Sequence, residues 1–573
     1  MKKISSLLLS LLLLAGCYED KGNYDYRLDS MNEITSVTFT PSIVVSAEGN
    51  MIEVQQALEE DSRTRRVDVV VEQTLSKTLD DLDFYWYRTY TNENGVGVRD
   101  TICTKGFLEF DLPIGKPMSY DIFLQIYDRT TDLSHYESFK ISTRPIFKNS
   151  LFVMHGAEGD RKIGNIEVIG NETKVYSDSK SVTKDNNHYE NATGFGYTTF
   201  IDIPDDLTKI GVTSTLTVFA QNGETRSYNP HGMAVKYTAQ QIFKPENLYF
   251  SYKNTVQAGD PSNYTMYKVV LTDNGEVYIG NHLHTLYKPG LGCENNPDLL
   301  HQTDYYITAA AITHNRFLLW DAKNGRFLYS SSHDSGFALN EGNSIKPDYI
   351  SKSPLLDANV KFQGLQKSPA DMTAVMGYIN YRDNYSQQNV YFIFKDEGTG
   401  DYYRYELLKL DNGDGSKVMK RASAQENEPL PAYMISSEKL LTNFTPSDES
   451  TIIYNSWFTT TNLFFAEGNT VYRYNVSNGD KFVVYEAPEG YNVTKIKFRT
   501  EENSPFSADL GLYMNVVMFN GTNGAVGEIK LTTSADVDTE FAPLFYDKDN
   551  EGNLWEEIKD IQFVNDYVYK MIY

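Results

Sequence analysis

Short runs of aromatic and β-branched residues alternate with turn residues along most of this chain. The clearest example extends from Leu463 to Glu486, where three such runs are separated by turns at 467–469 and 477–480. Strand-forming side chains joined by glycine-containing turns predict an antiparallel meander. One meander cannot bury its own apolar face, so we expect copies of it that stack on one another.

Six further segments resemble this one, which gives seven units from Leu151 onward. Two close copies extend from Leu216 to Tyr237 and from Ala309 to Tyr329. The first turns of the seven units fall near residues 159, 223, 275, 314, 398, 468 and 523. This irregular spacing is typical of β-propeller blades of about 40 to 50 residues that carry inserted loops. The pattern predicts a β-propeller of roughly seven blades over residues 147–573.

The two ends of this region complement each other. Val493–Phe498 has the pattern of a strand that opens a blade, and Ile558–Phe563 repeats that pattern without a meander after it. The first unit, at Leu151, lacks such an opening strand. Pairing Ile558–Phe563 with the first unit would remove two sheet edges at once, so we expect this segment to close the ring.

Between residues 33 and 146 the pattern changes to single alternating strands, typical of an immunoglobulin-like sandwich of about 100 residues. Alternate residues from Tyr120 to Ile126 lie on one face of a strand, and Trp86 is expected to fill the core. The fold class is therefore all-β, with a sandwich followed by a propeller. The predicted sandwich strands are Ile34–Phe39, Val67–Val71, Phe84–Tyr87, Phe107–Phe110, Tyr120–Tyr127 and Glu137–Ser142.

Composition narrows the range of partners. The chain has 573 residues, of which 40% are hydrophobic, so it is long enough for more than one core. Its 52 basic and 77 acidic residues give a formal net charge of -25. Nucleic acid and anionic lipid surfaces attract basic proteins, so we expect neither as the main partner.

The first residues have the pattern of a secretory signal. Lys2 and Lys3 precede an apolar run, Ile4–Leu14, that is too short to span a hydrocarbon layer of about 30 Å. The run ends in Leu-Ala-Gly-Cys17, which resembles the bacterial lipobox, in which the cysteine becomes lipidated. We expect a signal peptide over residues 1–16, a lipid anchor on Cys17 as the sole membrane attachment, and a polar tether over 17–32.

The alternating run Tyr120–Asp128 resembles the signature strand of PKD-type domains. Together with the segment Cys17–Tyr26, which carries an acidic pair after the cysteine, and with the propeller, it resembles the PKD-like family of Bacteroidota lipoproteins. That resemblance implies a lipoprotein on the outer face of the outer membrane. It also implies a place beside a Sus-type uptake system, whose TonB-dependent channel and lid lipoprotein would be the partners.

Several short motifs match part of a metal-binding or cofactor-binding pattern. His282 and His284 would share one strand face, but no third ligand follows at a suitable spacing. The segment 547–552 resembles the opening of a calcium loop, yet its twelfth position is Ile558, so an acidic turn is the simpler interpretation. The segment 332–336 partly matches an Asp-box turn, and 317–329 resembles one blade of quinoprotein propellers. We expect no metal, cofactor or catalytic residue.

The remaining cysteines are Cys103 and Cys293, which fall in different predicted domains. We therefore expect two unpaired thiols rather than a disulfide framework.

Aromatic residues in polar, loop-like surroundings are the candidates for ligand binding. Tyr305 and Tyr306 follow a polar stretch, and Trp457 and Phe458 lie between asparagine, serine and threonine residues. A flat ring beside amide and hydroxyl groups suits sugar stacking or peptide capture. Packing beneath long loops is the alternative for each ring. The insertion 330–371 is expected to lie over one propeller face.

Three functions follow from these observations. The first is a non-catalytic lipoprotein whose propeller binds a nutrient glycan or oligopeptide for a TonB-dependent uptake complex. The second is a propeller hydrolase that acts on glycans at the cell surface, although its paired carboxylates cannot be chosen from 77 acids by sequence. The third is a purely structural subunit that contacts a transporter and no ligand.

Overall fold

The computed structural model divides the chain into two compact units, Met1–Ile146 and Phe147–Tyr573. The description below is confined to residues 32–564, apart from 47–48, 56–63, 76–77, 92–96, 112–118, 145–146, 148, 170–171, 184–187, 203–210, 222, 231, 245–251, 261–264, 281–285, 290–303, 314–315, 331–354, 380–388, 411–432, 456, 460 and 501–509.

The first unit is a sandwich of two sheets, as its alternating pattern predicts. One sheet has the strand order β1-β4-β7 and the other β2-β3-β9-β8-β5-β6, with a parallel pairing between β3 and β9. The strands are β1 Ile34–Thr40, β2 Val44–Ser46, β3 Gly49–Gln55, β4 Thr64–Gln73, β5 Leu82–Thr91, β6 Gly97–Cys103, β7 Phe107–Asp111, β8 Ser119–Asp128 and β9 Leu133–Arg144.

Trp86 fills the core of this sandwich, which confirms the prediction. Its ring is fully buried and packs edge-on against Phe39 and Phe139, with ring centroids 6.4 Å away in each case. The indole N–H is satisfied because Nε1 donates to the carbonyl of Lys105 at 2.9 Å. A buried indole of this kind contributes apolar area without leaving a polar atom unpaired.

The second unit consists of seven sheets in chain order, which we call blades 1 to 7. Blades 1 to 3 contain β10 Ser150–His155, β11 Lys162–Ile169, β12 Glu172–Tyr176, β13 Ala192–Asp202, β14 Gly211–Ala220, β15 Arg226–Asn229, β16 Ala234–Thr238, β17 Phe243–Lys244, β18 Tyr252–Asp260, β19 Thr265–Thr272, β20 Val277–Gly280 and β21 Leu286–Tyr287.

Blades 4 to 7 continue the same arrangement. They contain β22 Ile307–Thr313, β23 Arg316–Asp321, β24 Arg326–Ser330, β25 Leu355–Asp357, β26 Thr373–Ile379, β27 Val390–Lys395, β28 Tyr402–Lys409, β29 Tyr433–Leu440, β30 Asn462–Glu467, β31 Thr470–Asn475, β32 Asp480–Glu486, β33 Asn492–Phe498, β34 Tyr513–Phe519, β35 Gly524–Lys530, β36 Leu544–Tyr546 and β37 Ile558–Val564. Single-turn helices occupy Lys180–Thr183, Ala239–Ile242, Pro369–Asp371, Glu449–Thr451 and Leu510–Leu512.

Each blade contains a meander whose strands we call A to D from the ring axis outward. In blade 3, β17 adds a fifth strand that pairs parallel with β21. The A strands are the inner ones because β37, β13, β18, β22 and β26 contact one another in succession around the axis. In blade 6 the A position is taken by a single bridge between Ile453 and Phe464. Alternate connections of a meander lie at opposite ends, so the ring has an AB face, with the A–B and C–D connections, and a BC face, with the B–C turns and D–A connections.

Packed or hydrogen-bonded pairs connect each blade to the next around the complete ring. Going around, they are Phe195 with Asp560 between blades 1 and 2, Phe219 with Phe243 between 2 and 3, Val269 with Leu319 in the cluster of 3 and 4, Trp320 with Phe394 between 4 and 5, Ile393 with Phe465 in the cluster of 5 and 6, Phe464 with Phe498 between 6 and 7, and Val517 with Phe563 in the cluster of 7 and 1.

The predicted closure of the ring is confirmed. β37 is the A strand of blade 1 and pairs antiparallel with β10, from Val564 opposite Ser150 to Ile558 opposite His155. The unit that begins at Ala309 is the exception to the predicted pattern. Its first turn joins β22 to β23, an A–B connection, whereas the corresponding turns of the other units join B to C. The apolar run of β22 is followed in the sequence by His314-Asn315, just as the B strands are followed by turn residues, so the pattern alone was offset by one strand.

We expect His155, in the strand that pairs with β37, to make the stability of this closure depend on pH. Nε2 must donate to the carbonyl of Ser177, 2.7 Å away, because that oxygen can only accept, and Nδ1 has no hydrogen-bond partner among the described residues. Burial, including an edge-on contact with Trp555, lowers the pKa of His155. The hydrogen bond to Ser177 and the charges of Glu556 and Asp178 partly offset this effect, and Lys162 adds to it.

We therefore expect the free energy of unfolding to decline as pH falls below the unfolded-state pKa of about 6.5, because the unfolded state then binds the extra proton more readily. Urea unfolding of the wild type and of His155→Phe between about pH 7.5 and 5 measures this. The phenylalanine ring keeps the packing and cannot protonate, so its curve should be flatter. Parallel curves for the two proteins would contradict the assignment.

Candidate functional site

The four aromatic residues predicted to bind ligand lie on opposite faces of the ring. Tyr305 and Tyr306 directly precede β22, in the D–A connection between blades 3 and 4, which is on the BC face. Trp457 and Phe458 follow the A segment of blade 6 and are therefore on the AB face. The structure thus brings together two pairs and not one cluster of four.

The BC-face pair divides into one buried and one exposed ring. Tyr305 is buried, its hydroxyl donates to the carbonyl of Pro289 at 2.8 Å, and burial raises its pKa above the ordinary value. Tyr306 is 41% exposed, and its hydroxyl donates to the carbonyl of Asp273 at 2.9 Å. Its ring lies directly on Gly275, where a Cβ atom would come within 2.3 Å of a ring carbon. Tyr306 therefore presents one ring face outward.

Phe458 contributes to packing between blades 6 and 7. It is 1% exposed, and its ring centroid lies 5.4 Å from that of Phe464 and 5.8 Å from that of Phe498. Its ring is enclosed by protein atoms, so a ligand could contact Phe458 only if this packing opened.

Trp457 is the partly exposed member of the AB-face pair. Its indole lies against the backbone of Gly511, in the A–B connection of blade 7, where a Cβ atom would come within 1.7 Å of Cδ1. Only a residue without a side chain permits so close an approach of ring and backbone. Gly511 therefore fixes the position of one face of the indole.

A buried amide holds the Trp457 loop in place. Asn455 is fully buried, and its Nδ2 donates to the carbonyls of Thr500 at 3.0 Å and Gly511 at 2.9 Å. Its Oδ1 accepts from the backbone N–H of Trp457 at 2.9 Å. One side chain thus ties together the A–B connections of blades 6 and 7, and it orders the loop before any ligand arrives.

Hydroxyl and amide groups follow the indole along the same loop. The hydroxyls of Thr459 and Thr461 are 2.7 Å apart, and Nδ2 of Asn462 donates to Thr459 Oγ1 at 3.0 Å. Threonine and asparagine side chains offer both donors and acceptors to a ligand. We call Trp457, Thr459, Thr461 and Asn462 the Trp457 site: an apolar plate with polar groups beside it.

Two stacked tyrosines of blade 5 contact Tyr454, which precedes the Trp457 loop in the chain. The hydroxyl of Tyr454 points to the carbonyl of Phe458 at 3.4 Å, and its ring centroid lies 4.4 Å from that of Tyr378. Tyr378 in turn stacks on Tyr391, with centroids 5.2 Å apart and ring planes 19° from parallel. Burial raises the pKa of Tyr378 to about 12, so its hydroxyl stays neutral at physiological pH.

The segment that resembles a calcium loop is an acidic hairpin turn. Burial alone would raise the pKa of Asp549, but hydrogen bonds from the Ser177 hydroxyl, the Asn553 amide and the backbone N–H of Glu551 hold it at about 2. Both carboxylate oxygens therefore already accept hydrogen bonds. Within the described ranges, no group of three His, Cys, Asp or Glu side chains is placed to hold a metal ion.

The other candidates fall partly or wholly outside the described residues. These are Cys17, His282, His284, Cys293, the segment 332–336 and most of the insertion 330–371. Cys103 is a free thiol. In the part of the chain that can be described, no helix is long and apolar enough to cross a membrane.

The strand pairing defines the class of protein: an all-β chain with an N-terminal sandwich and a β-propeller of seven blades. The model of the PKD-like family matches residues 17–195, so the N-terminal part of the chain is PKD-like. A search of the curated proteins finds no match.

The solved structures that match this chain include three bacterial proteins. A quinonprotein alcohol dehydrogenase-like protein from Bacteroides thetaiotaomicron is 10% identical with a TM-score of 0.37, covering 90% of this chain and 96% of that one. Apo AztD from Citrobacter koseri is 8% identical with a TM-score of 0.27, covering 85% and 98%. A post-proline cleaving enzyme from Rickettsia typhi is 9% identical with a TM-score of 0.32, covering 65% and 48%. Similarity this distant carries no inference about activity.

Proposed function

We propose that this protein is a non-catalytic binding protein whose propeller captures a glycan or oligopeptide at the Trp457 site. The supporting observation is the way the indole is held. Gly511 fixes one face of the ring and Asn455 fixes the loop, while hydroxyl and amide groups lie beside it. A rigid aromatic ring lowers the entropic cost of binding, and adjacent hydrogen-bond donors and acceptors orient the ligand.

The proposed location is the outer face of the outer membrane, with the chain anchored by lipid on Cys17. The partners we propose are a TonB-dependent channel and its lid lipoprotein. The support is the sequence around Cys17 and the PKD-like match over residues 17–195. In this scheme the propeller concentrates the nutrient and passes it to the channel.

Purification of the lipidated protein from outer membranes, followed by mass spectrometry, tests this scheme. We expect a channel and a lid lipoprotein to co-purify, together with bound sugars or peptides. Recovery of the protein alone and empty would contradict the uptake role. Turnover of a glycan panel, abolished by changing a single acid, would instead establish the hydrolase.

Removing the Trp457 indole should weaken ligand binding more than it lowers the stability of the propeller. We expect Trp457→Ala to raise the Kd for the bound sugar or peptide by about tenfold or more, because a stacked ring contributes on the order of 1.4 kcal/mol. Gly511→Ala should have a similar effect, because the added methyl group displaces the indole. Calorimetry with a panel of neutral oligosaccharides and short peptides measures both variants.

Phe482→Ala is the matched control, because Phe482 is an exposed aromatic residue on the outer strand of the same blade. Its Kd should stay at the wild-type value. If Trp457→Ala and Phe482→Ala bind alike, and uptake is also unaffected, the purely structural role would replace ligand binding.

A further inference from the structure

The outward face of the larger sheet in the first unit is unusually aromatic. In β5 the buried residues Phe84 and Trp86 alternate with Tyr85 and Tyr87, and in β8 the buried residues alternate with Phe123 and Tyr127. Tyr136 of β9 lies on the same side and is 53% exposed. The solvent face of an antiparallel sandwich normally carries polar residues. We call Tyr85, Tyr87, Phe123, Tyr127 and Tyr136 the aromatic platform.

The strand register makes the platform continuous. Tyr87 is opposite Phe123, and Gln125, two residues further along β8, is opposite both Tyr85 and Tyr136. Ring centroids lie 6.3 Å apart for Tyr87 and Phe123 and 5.5 Å apart for Phe123 and Tyr136. Because adjacent strands are about 4.8 Å apart, the four strands from β6 to β9 give a surface about 14 Å across. This is wide enough for an oligosaccharide rather than a single sugar ring.

Polar groups are built into the platform. The Tyr87 hydroxyl donates to Gln125 Oε1 at 3.2 Å, and Gln125 Nε2 donates to the Ser134 hydroxyl at 3.0 Å. The Arg99 guanidinium carbon lies 3.7 Å from the ring centroid of Tyr87 and 4.4 Å from that of Phe123. A guanidinium held on two rings presents fixed N–H donors at the edge of the apolar surface.

The distribution of charged side chains on the platform indicates which class of ligand it can bind. The two central cross-strand rows, Thr101-Tyr87-Phe123-Ser138 and Tyr85-Gln125-Tyr136, contain no charged side chain. The neighbouring row, Arg99-Thr89-Asp121-Lys140, carries charges of both signs at the margin of the platform. The chain as a whole carries a net charge of -25, which opposes a polyanion. A neutral ligand matches this surface.

The backbone pattern argues against a peptide as that ligand. An extended peptide binds a sheet mainly through the backbone groups of an exposed edge. β5, β8 and β9 are each paired on both sides, so their backbone groups are already used within the sheet. The face offers rings, hydroxyls and amides instead, the groups that sugar stacking needs.

We propose that the aromatic platform binds a neutral, extended polysaccharide by stacking sugar rings on the exposed Tyr136, while Arg99, held on Tyr87 and Phe123, donates hydrogen bonds to sugar hydroxyls. This site is in a different unit from the Trp457 site, and it does not depend on ligand binding there. It would hold the chain on a polymer while the propeller engages its own ligand.

Native gel electrophoresis of the full chain in gels that contain a soluble polysaccharide tests this proposal. The neutral probes are xyloglucan, mixed-linkage β-glucan and galactomannan, and polygalacturonate is the anionic comparison. We expect at least one neutral polymer to retard the protein and Tyr136→Ala to raise the apparent Kd by about tenfold. Phe123→Leu should act similarly, and because leucine keeps the position apolar, this variant guards against loss of folding.

Val70→Ala is the control within the same unit, because Val70 is 56% exposed on the other sheet. It should migrate like the wild type. Tyr136→Ala should lower retardation equally in the wild-type and in the Trp457→Ala background, which separates failure of this site from failure of the Trp457 site. Three results would overturn the proposal: no retardation by any neutral polymer, stronger retardation by polygalacturonate, or equal retardation of the wild type and the platform variants.

Discussion

Removal of residues 556–573 should unfold the propeller. This truncation deletes β37, the A strand of blade 1. The backbone groups of β10 that pair with β37 then lose their partners. The truncation also removes the buried side chains of Ile558, Ile561 and Phe563. Fully burying one such side chain stabilises a fold by about 1.5–3 kcal/mol, so the three together are worth roughly 5–9 kcal/mol. Whole domains have about 5–15 kcal/mol of stability, so the loss of this strand is comparable with the total.

Thermal unfolding followed by circular dichroism, with limited proteolysis at 25 °C, measures this effect. A truncation after Val564 is the matched control, because it keeps every described pair of β37. We expect the control to melt like the parent and the longer truncation to lack the propeller transition. If both truncated proteins melt like the parent, β37 does not hold the ring closed.

Asp560→Ala should destabilise the propeller by about 3 kcal/mol, because removing one partner of a buried ion pair leaves the other charges uncompensated. Asp560 is 1% exposed, and its Oδ1 lies 2.9 Å from Lys495 Nζ and 3.0 Å from Lys497 Nζ. Its Oδ2 accepts the backbone N–H of Phe195 at 2.8 Å. One carboxylate therefore connects blades 7, 1 and 2. The lysines are partly exposed, which keeps the expected cost toward the lower end of values for buried pairs.

The same carboxylate should affect stability in acid. Burial alone would raise the pKa of Asp560, but the ammonium groups of Lys495 and Lys497 hold it far below its ordinary range. A lowered folded-state pKa adds stability above the unfolded-state value of about 3.9, and this stability is lost as pH falls further. Asp560→Asn keeps the size of the side chain but not its charge, so its stability should depend less on pH over that range.

Urea unfolding at pH 7 and near pH 3 measures both effects. Asp536→Ala is the control, because Asp536 pairs with Arg473 at 2.8 Å while remaining 61% exposed. Exposed pairs contribute about 0–1 kcal/mol, so this variant should lose little. Equal losses for Asp560→Ala and Asp536→Ala would show that the buried network does not stabilise the ring.

Sequence patterns were most informative where a structural element is local. The meander from Leu463 to Glu486 is found as β30, β31 and β32, with turns at the predicted places. In the sandwich, β2, β3 and β6 were not predicted. β6 illustrates the reason, since its run Gly97–Cys103 contains charged residues on both sides of the strand. Its pairing with β5, and not its own composition, makes it a strand.

The candidate site was predictable only in part. Trp457 and Tyr306 could be selected because an aromatic residue in a polar loop is unusual within a single stretch of sequence. Nothing in that stretch shows that Gly511 receives the indole or that Asn455 joins two blades. Those contacts join positions about 50 residues apart, and they form only when neighbouring A–B connections meet on one face.

Patterns in the amino-acid sequence were sufficient to predict the all-β class, the succession of blade-like units, the sandwich that precedes them and the strand that closes the ring. Each of these depends on side-chain periodicity over about ten residues or on an unpaired edge that must be covered. Only the folded protein shows which aromatic rings are exposed, on which propeller face each one lies, and that Asp560 contacts Phe195, 365 residues away. Burial and long-range hydrogen bonds depend on how the blades pack together, and no local pattern encodes that arrangement.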